Sequence, residues 1–362
     1  MHVTFSACRV TLSLFALNLG ASAFTVGTII SLIAAIPIIF CVRWGRHIDH
    51  SGIYTPMLLA SALELTATLL AYCVPRIETL FIVSLLVGSG FMLFHICINQ
   101  ATALIGSAEE RTKNFNTLAL AFSTSGFIGP VTAGFSIDAI GHRNTFLLSA
   151  LFALLAMGLL RYHHKVIKKQ APRQTAEVSR HELSLLHIPE MVRVFIISGL
   201  LSMCWDLYSF VMPIHGSSLG LSATTIGLIL GSFGIAIFGF RLIMPWIIQH
   251  FTERQILLCA MVLTGLVFIV LPLVKSVPLL MLVSFVMGIG LGGTQPIIMA
   301  MLFEQAPAGR GAEAAAIRTR LFNITQAGIP MIFGALGAWM GMTPIFVTMG
   351  LALLVGAWYA RG

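Results

Sequence analysis

The sequence predicts an all-α membrane protein of twelve transmembrane helices, arranged as two parallel six-helix repeats. Three observations carry that prediction. The 362 residues are 57% hydrophobic and only 9% charged, with mean hydropathy +0.95, whereas an ordinary soluble domain is about a quarter charged. The apolar residues come in continuous runs of about 20, the length that crosses a bilayer as a helix, and not in the alternation of a membrane β-barrel. Finally, the chain matches itself at a fixed offset of 200 residues.

Taken in order, the first apolar run covers roughly 1–19 and carries Arg9 in its middle. It is short for a full crossing, so the first helix is expected to lack its initial turns, with the true start upstream. The second run spans about 24–44. It ends in a charged stretch, Arg43 to Pro56, that holds Gly45, Asp49 and Gly52. Glycine allows tight turns and close backbone approach, and proline suits the first turn of a new helix. This stretch is therefore expected to be a tight charged hairpin between the second and third helices. Further spans are expected at about 56–74, 79–104, 117–139 and 145–161. A polar loop (Ser107 to Asn116) and a turn (Gly141 to Asn144) separate the last three.

Between Arg161 and Arg193 the composition shifts to a hydrophilic segment with no sustained apolar run. It divides the chain into an N-terminal half (1–163), a linker (164–192) and a C-terminal half (193–362). Six more spans follow, at about 194–213, 224–248, 255–273, 278–303, 315–339 and 343–360. Sixteen of the 21 lysines and arginines fall on the linker side; only Arg76, Arg143 and Lys275 fall on the other, and Arg9 and Arg241 lie within spans. The positive-inside rule then places the linker and both termini in the cytoplasm, with the chain in a bacterial inner membrane. The same distribution explains the net charge of +8 without a nucleic-acid partner. The six cysteines are scattered singly, which predicts free thiols and no disulfide framework or metal site. No cleavable signal peptide is expected.

The repeat is carried by glycine and proline. Leu19 to Gly27 faces Leu219 to Gly227; Ser84, Gly88 and Gly90 face Ser284, Gly288 and Gly290; Pro130, Gly134 and Gly141 face Pro330, Gly334 and Gly341. An even number of spans separates the equivalents, so the halves run parallel. Two parallel halves around a central site are a transporter plan.

Two motifs also resemble a known family. Gly45-x-x-x-Asp49-x-x-Gly52 resembles the signature loop between helices two and three of the major facilitator superfamily. Gly126-x-x-Gly129-Pro130-x-x-x-Gly134 is similar to the fifth-helix glycine-proline motif common among its exporters. The resemblance implies alternating access, with Asp49 gating the linker side and the fifth-helix motif bending that helix. It also implies that helices one, four, seven and ten line the cavity. The sequence departs from the pattern in places. His50 follows the aspartate, Gln249 stands at the equivalent of Asp49, and Ser84 holds the place of a helix-four arginine found in many proton-coupled members.

Ionisable groups within spans are costly, by roughly 2.5–3.5 kcal/mol at mid-helix, unless they face protein, water or a partner. The cavity candidates are therefore Arg9, His95, Asn99, Asp206 and Gln295, one or two on each expected cavity helix. His95 and Asn99, four apart, share a helix face. Asp206 is expected to pair with Arg9 or with His95 and to exchange a proton. Arg241 is expected to snorkel toward the linker side, and Glu304, Arg310, Arg318 and Arg320 to form an ion-pair network at helix ends.

The expected function is secondary active transport of a small organic molecule, as proton-coupled efflux. The alternatives are an uptake permease and a transporter-like sensor that moves nothing. There is no metalloprotease HExxH, nucleophile elbow or phosphate-binding loop, so neither an enzyme nor an ATP-driven pump is indicated, and no cofactor is called for. The expected partners are the lipid bilayer, the cargo and a proton, with the chain acting as a monomer.

Overall fold

A computed structural model describes residues 1–104, 108–168, 185, 187–306 and 311–361. Among these residues there are helices and no strands. The helices are α1 (His2–Asn18), α2 (Ala23–Ser51), α3 (Tyr54–Cys73), α4 (Ile77–Leu104), α5 (Ala108–Tyr162), α6 (His164–Lys168), α7 (Pro189–Ser218), α8 (Ala223–His250), α9 (Glu253–Val270), α10 (Val277–Gly292), α11 (Thr294–Gln305), α12 (Gly311–Met340) and α13 (Thr343–Arg361). Ten helical segments are long and apolar enough to cross a membrane. One of them is broken at Gly141, where φ is 82° and α5 turns back on itself. The 17-residue α1 is shorter than those ten. The expected twelve passes require that both arms of α5, and α1, count as crossings.

Positions 200 apart perform the same local work. Gly20 and Gly220 both have positive φ and end α1 and α7. In each case the residue after the glycine donates back into the helix: Ala21 to Ala16 and Leu221 to Gly216. Ser22 and Ser222 then cap α2 and α8, accepting the backbone N–H of Thr25 and Thr225 at 3.2 Å. Such caps satisfy donors that a helix start leaves free. Gly141 and Gly341 share a φ of 82°.

The halves meet along two crossings, α5 on α8 and α2 on α12, with α7 also touching α1 and α2. Both crossings are close because glycine stands at the contact. A Cβ on Gly227 would lie 2.5 Å from the Pro130 carbonyl oxygen and 3.1 Å from Gly134 Cα; one on Gly334 would lie 2.8 Å from the Ala23 carbonyl oxygen and 3.2 Å from Gly27 Cα. Membrane helices gain from this small-residue packing because lipid supplies no hydrophobic drive between them.

Three expectations need correcting. The charged stretch after the second span is not a broad hairpin: α2 continues to Ser51, and the turn is confined to Gly52 (φ 76°) and Ile53. Hydropathy marks where lipid ends, and a helix continues past it as long as its backbone bonds can form. Gly45 therefore lies inside a helix with open space where a side chain would go, and turning is done by Gly52. Likewise α5 already begins at Ala108, within the expected polar loop. The tenth span is divided, ending as α10 at Gly292 and resuming as α11 at Thr294. Pro296 accounts for the break, since it has no N–H for the Gly292 carbonyl four residues earlier and its ring crowds that carbonyl. Of the linker, α6 packs on α3 and α5, while positions 169–184 and 186 lie outside the described residues.

Candidate functional site

Two of the cavity candidates meet where the two halves face each other. Arg9 of α1 and Asp206 of α7 form an ion pair, Nη2 to Oδ1 at 3.8 Å, with side-chain exposures of 16% and 1%. Gln326 of α12 approaches the same carboxylate without closing a hydrogen bond. Of the two partners expected for Asp206, the structure thus selects Arg9. A buried pair repays its desolvation poorly, so this contact joins the halves at a cost that static packing would avoid.

His95 lies elsewhere, in a cluster of rings on the N-terminal half. It stacks on Phe122 with centroids 5.5 Å apart and contacts Phe91 at 5.6 Å. His2 stacks on Phe122 at 4.7 Å, and Phe5 on Phe91 at 3.7 Å. Asn99 sits one turn beyond His95, as the spacing predicted, donating to the His95 carbonyl at 2.7 Å and contacting its Nδ1 at 3.2 Å.

Gln295 of α11 accepts a hydrogen bond from Arg318. Arg318 does not stand in a helix-end ion-pair network. It is 9% exposed and donates from Nε to Ser198 Oγ of α7 at 3.0 Å, with Met299 also in reach. Arg310 of the expected network lies outside the described residues. Arg241 does not snorkel either. Its guanidinium turns across the α5–α8 crossing, with Nη1 donating to the Ala119 carbonyl at 2.7 Å and to Ser123 Oγ at 2.6 Å. Its Nε donates to the Gly292 carbonyl at 3.3 Å, the acceptor that Pro296 leaves unserved.

The remaining predicted residues are dispersed. Asp49 has its backbone in α2, and its side chain lies outside the described residues. In the fifth-helix motif the roles divide. Gly129 packs against Ser6 and Ala7 of α1, Gly134 packs against α8, and Gly126 has nothing within 4 Å of where a side chain would begin. The backbone stays helical through Pro130, and the non-helical residue of α5 is Gly141. Glu64 of α3 is fully buried; neither carboxylate oxygen has a hydrogen-bond partner among the described residues, and it packs against Gly90 of α4.

One charged residue that joins the halves went unnoticed in the sequence. Asp138, near the far end of α5's first arm, accepts the backbone N–H groups of Ala223 (3.2 Å) and Thr224 (2.7 Å) at the start of α8. A carboxylate at a helix start both caps free donors and complements the helix dipole. The signal was present in the repeat: the equivalent position is Ala338.

Two similar helical halves, meeting on glycine crossings and a buried ion pair, define a polytopic membrane transporter. The chain belongs to the Major Facilitator Superfamily, whose family model matches residues 2–216 and again 194–361. The multi-drug resistance efflux pump PmrA of Streptococcus pneumoniae is 24% identical over 353 residues, covering 94% of this chain and 87% of that protein. An uncharacterized MFS-type transporter of Bacillus subtilis, YuxJ, is 22% identical over 337 residues, covering 87% and 81%. Among solved structures, a POT family transporter in complex with 5-aminolevulinic acid superposes with a TM-score of 0.81 at 16% identity, over 99% of this chain and 93% of the other. That likeness concerns the fold.

Proposed function

We propose that this protein is a secondary active transporter that exports a small organic molecule by alternating access, driven by protons. The halves 1–163 and 193–362 rock about the central site, with the linker side facing the cytoplasm of a bacterial cell. The observation that carries this reading is the Arg9–Asp206 pair. It is the kind of contact that costs free energy when held in one state and becomes useful when it opens and closes in a cycle. In that cycle Asp206 alternates between Arg9 and a proton, and cargo enters when the pair parts. Export is favoured over uptake by the glycine-proline motif of α5 and by the efflux-pump names of the relatives.

The test is flux in proteoliposomes under an imposed pH gradient, after a panel of efflux substrates in a transporter-deficient bacterium has supplied a cargo. Asp206→Asn is expected to abolish gradient-driven accumulation while leaving downhill exchange. If Asp206→Asn transports at the wild-type rate with unchanged pH dependence, the proton role is rejected.

A further inference from the structure

We infer that the cargo is an amphiphilic organic anion, with a flat aromatic body and an acidic head. The inference rests on the transporter reading above and adds the sign of the cargo's charge.

The observation behind it is an imbalance of buried charge. Three arginines lie within the bundle: Arg9 and Arg241, which reach across to the other half, and Arg318, which is buried and held within its own half. One carboxylate, Asp206, answers them, and it is taken by Arg9. The acceptors around Arg241 are two carbonyls and a serine hydroxyl. Those around Arg318 are a serine hydroxyl, an amide oxygen and a thioether. Neutral acceptors satisfy guanidinium donors but leave the charge. Even with the distant Glu64 counted, the interior stays positive among the described residues.

The two unbalanced arginines occupy similar depth. Arg318 meets Ser198 as Gln326 meets Asp206, each pair being 120 positions apart on the neighbouring helices α7 and α12. Arg318 therefore lies eight residues, about 12 Å, to the linker side of the ion pair at ~1.5 Å per residue. On the opposite wall, His2 precedes Arg9 by seven residues, about 10 Å on the same scale. His2 stacks on Phe122, whose neighbour Ser123 receives Arg241. Arg241 and Arg318 thus form a positive layer on the linker side of Arg9 and Asp206. The stacked rings of His2, Phe5, Phe91 and Phe122 supply an aromatic wall at that depth.

An anion entering this layer supplies the missing counter-charge. A cation meets two unbalanced like charges and a single carboxylate already in use. Discrimination by repulsion of the wrong partner is as effective as added attraction.

Two impermeant probes of equal body test this: naphthalene-1-sulfonate and trimethyl(naphthylmethyl)ammonium. Each is measured for binding to the purified full-length protein by equilibrium dialysis and for flux in proteoliposomes. The sulfonate is expected to bind at least ten-fold tighter. Arg241→Gln and Arg318→Gln should each weaken sulfonate binding about ten-fold, and Arg318→Lys should restore most of the loss. Thermal melts confirm that each variant is folded. Equal or tighter binding of the ammonium probe overturns the inference, as does sulfonate binding that ignores the Gln variants or an absence of sulfonate binding. Sulfonate that binds without flux sustains the anion site and overturns the transporter reading. Ammonium flux without sulfonate binding does the reverse.

Discussion

The α5–α8 and α2–α12 crossings are copies of one another in backbone and unlike in their polar contacts. At each, a glycine of the shorter-reaching partner rests on a proline carbonyl and a second glycine: Gly227 on Pro130 and Gly134, Gly27 on Pro330 and Gly334. The α5–α8 crossing is also fastened by side chains at two identifiable points. Asp138 holds the start of α8 at the far end, and Arg241 grips α5 toward the linker side. The equivalent positions on the other seam are Ala338 and Cys41. The contrast teaches that the backbone fit of the repeat has been kept while the charged residues Asp138 and Arg241 have no charged counterpart at the two equivalent positions. At these two positions the seams are therefore held differently, and Asp138 and Arg241 are the places where that difference can be tested.

The largest effect should come from destroying what the seams share. Gly134→Val and Gly334→Val each force a side chain into backbone, and overpacking typically costs about 1–3 kcal/mol. Both should lower the Tm of the purified protein by similar amounts; a large loss at one seam only would break the equivalence. A smaller effect is expected from removing what the seams do not share. Asp138→Ala loses a cap worth about 0.5–2 kcal/mol. Spin labels at the far ends of α5 and α8 should then show a wider distance distribution, while labels across α2 and α12 stay unchanged. Equal widening at both seams would mean that Asp138 does not act on its own crossing. The smallest effect is expected from Ala338→Asp, which offers the start of α2 a cap like the one α8 has. It should narrow the α2–α12 distribution and slow transport, and unchanged distances would show that geometry at that end differs from its copy.

Much of this architecture was legible in the sequence because backbone constraints leave a register. Gly20 with Gly220, Gly141 with Gly341, and Pro130 with Pro330 do equivalent jobs, and only a few residue types can do them. Arg9, Asp206, His95 and Asn99 were legible as site candidates by the cost of polar groups in lipid. That cost identifies a residue as inward-facing without saying which helix it meets, so the choice between Arg9 and His95 as partner of Asp206 stayed open. Arg241 and Arg318 were misread for a related reason. Both sit close enough to helix ends for snorkelling or surface pairing to be the cheaper reading, and hydropathy carries no information on neighbours across the bundle. The acceptor that draws in Arg241 exists because of Pro296, 55 positions away in sequence. The helical extension of α2 to Ser51 was invisible for the opposite reason, since polarity there reports water and not the end of the helix.

The central ion pair has a consequence for the molecule's symmetry. An axis relating residue n to n + 200 would give the contact between Arg9 and Asp206 a mirror contact between positions 209 and 6. Those positions hold Ser209 and Ser6, whose hydroxyls contact Trp205 and His2 in their own helices. Two identical six-helix chains would carry two such pairs or none. A single pair requires the halves to have become distinct, and it gives the bundle a handed interior in which one wall donates and the other accepts. Substituting Ser6→Asp together with Ser209→Arg would write the second pair back and return the centre to a symmetric form.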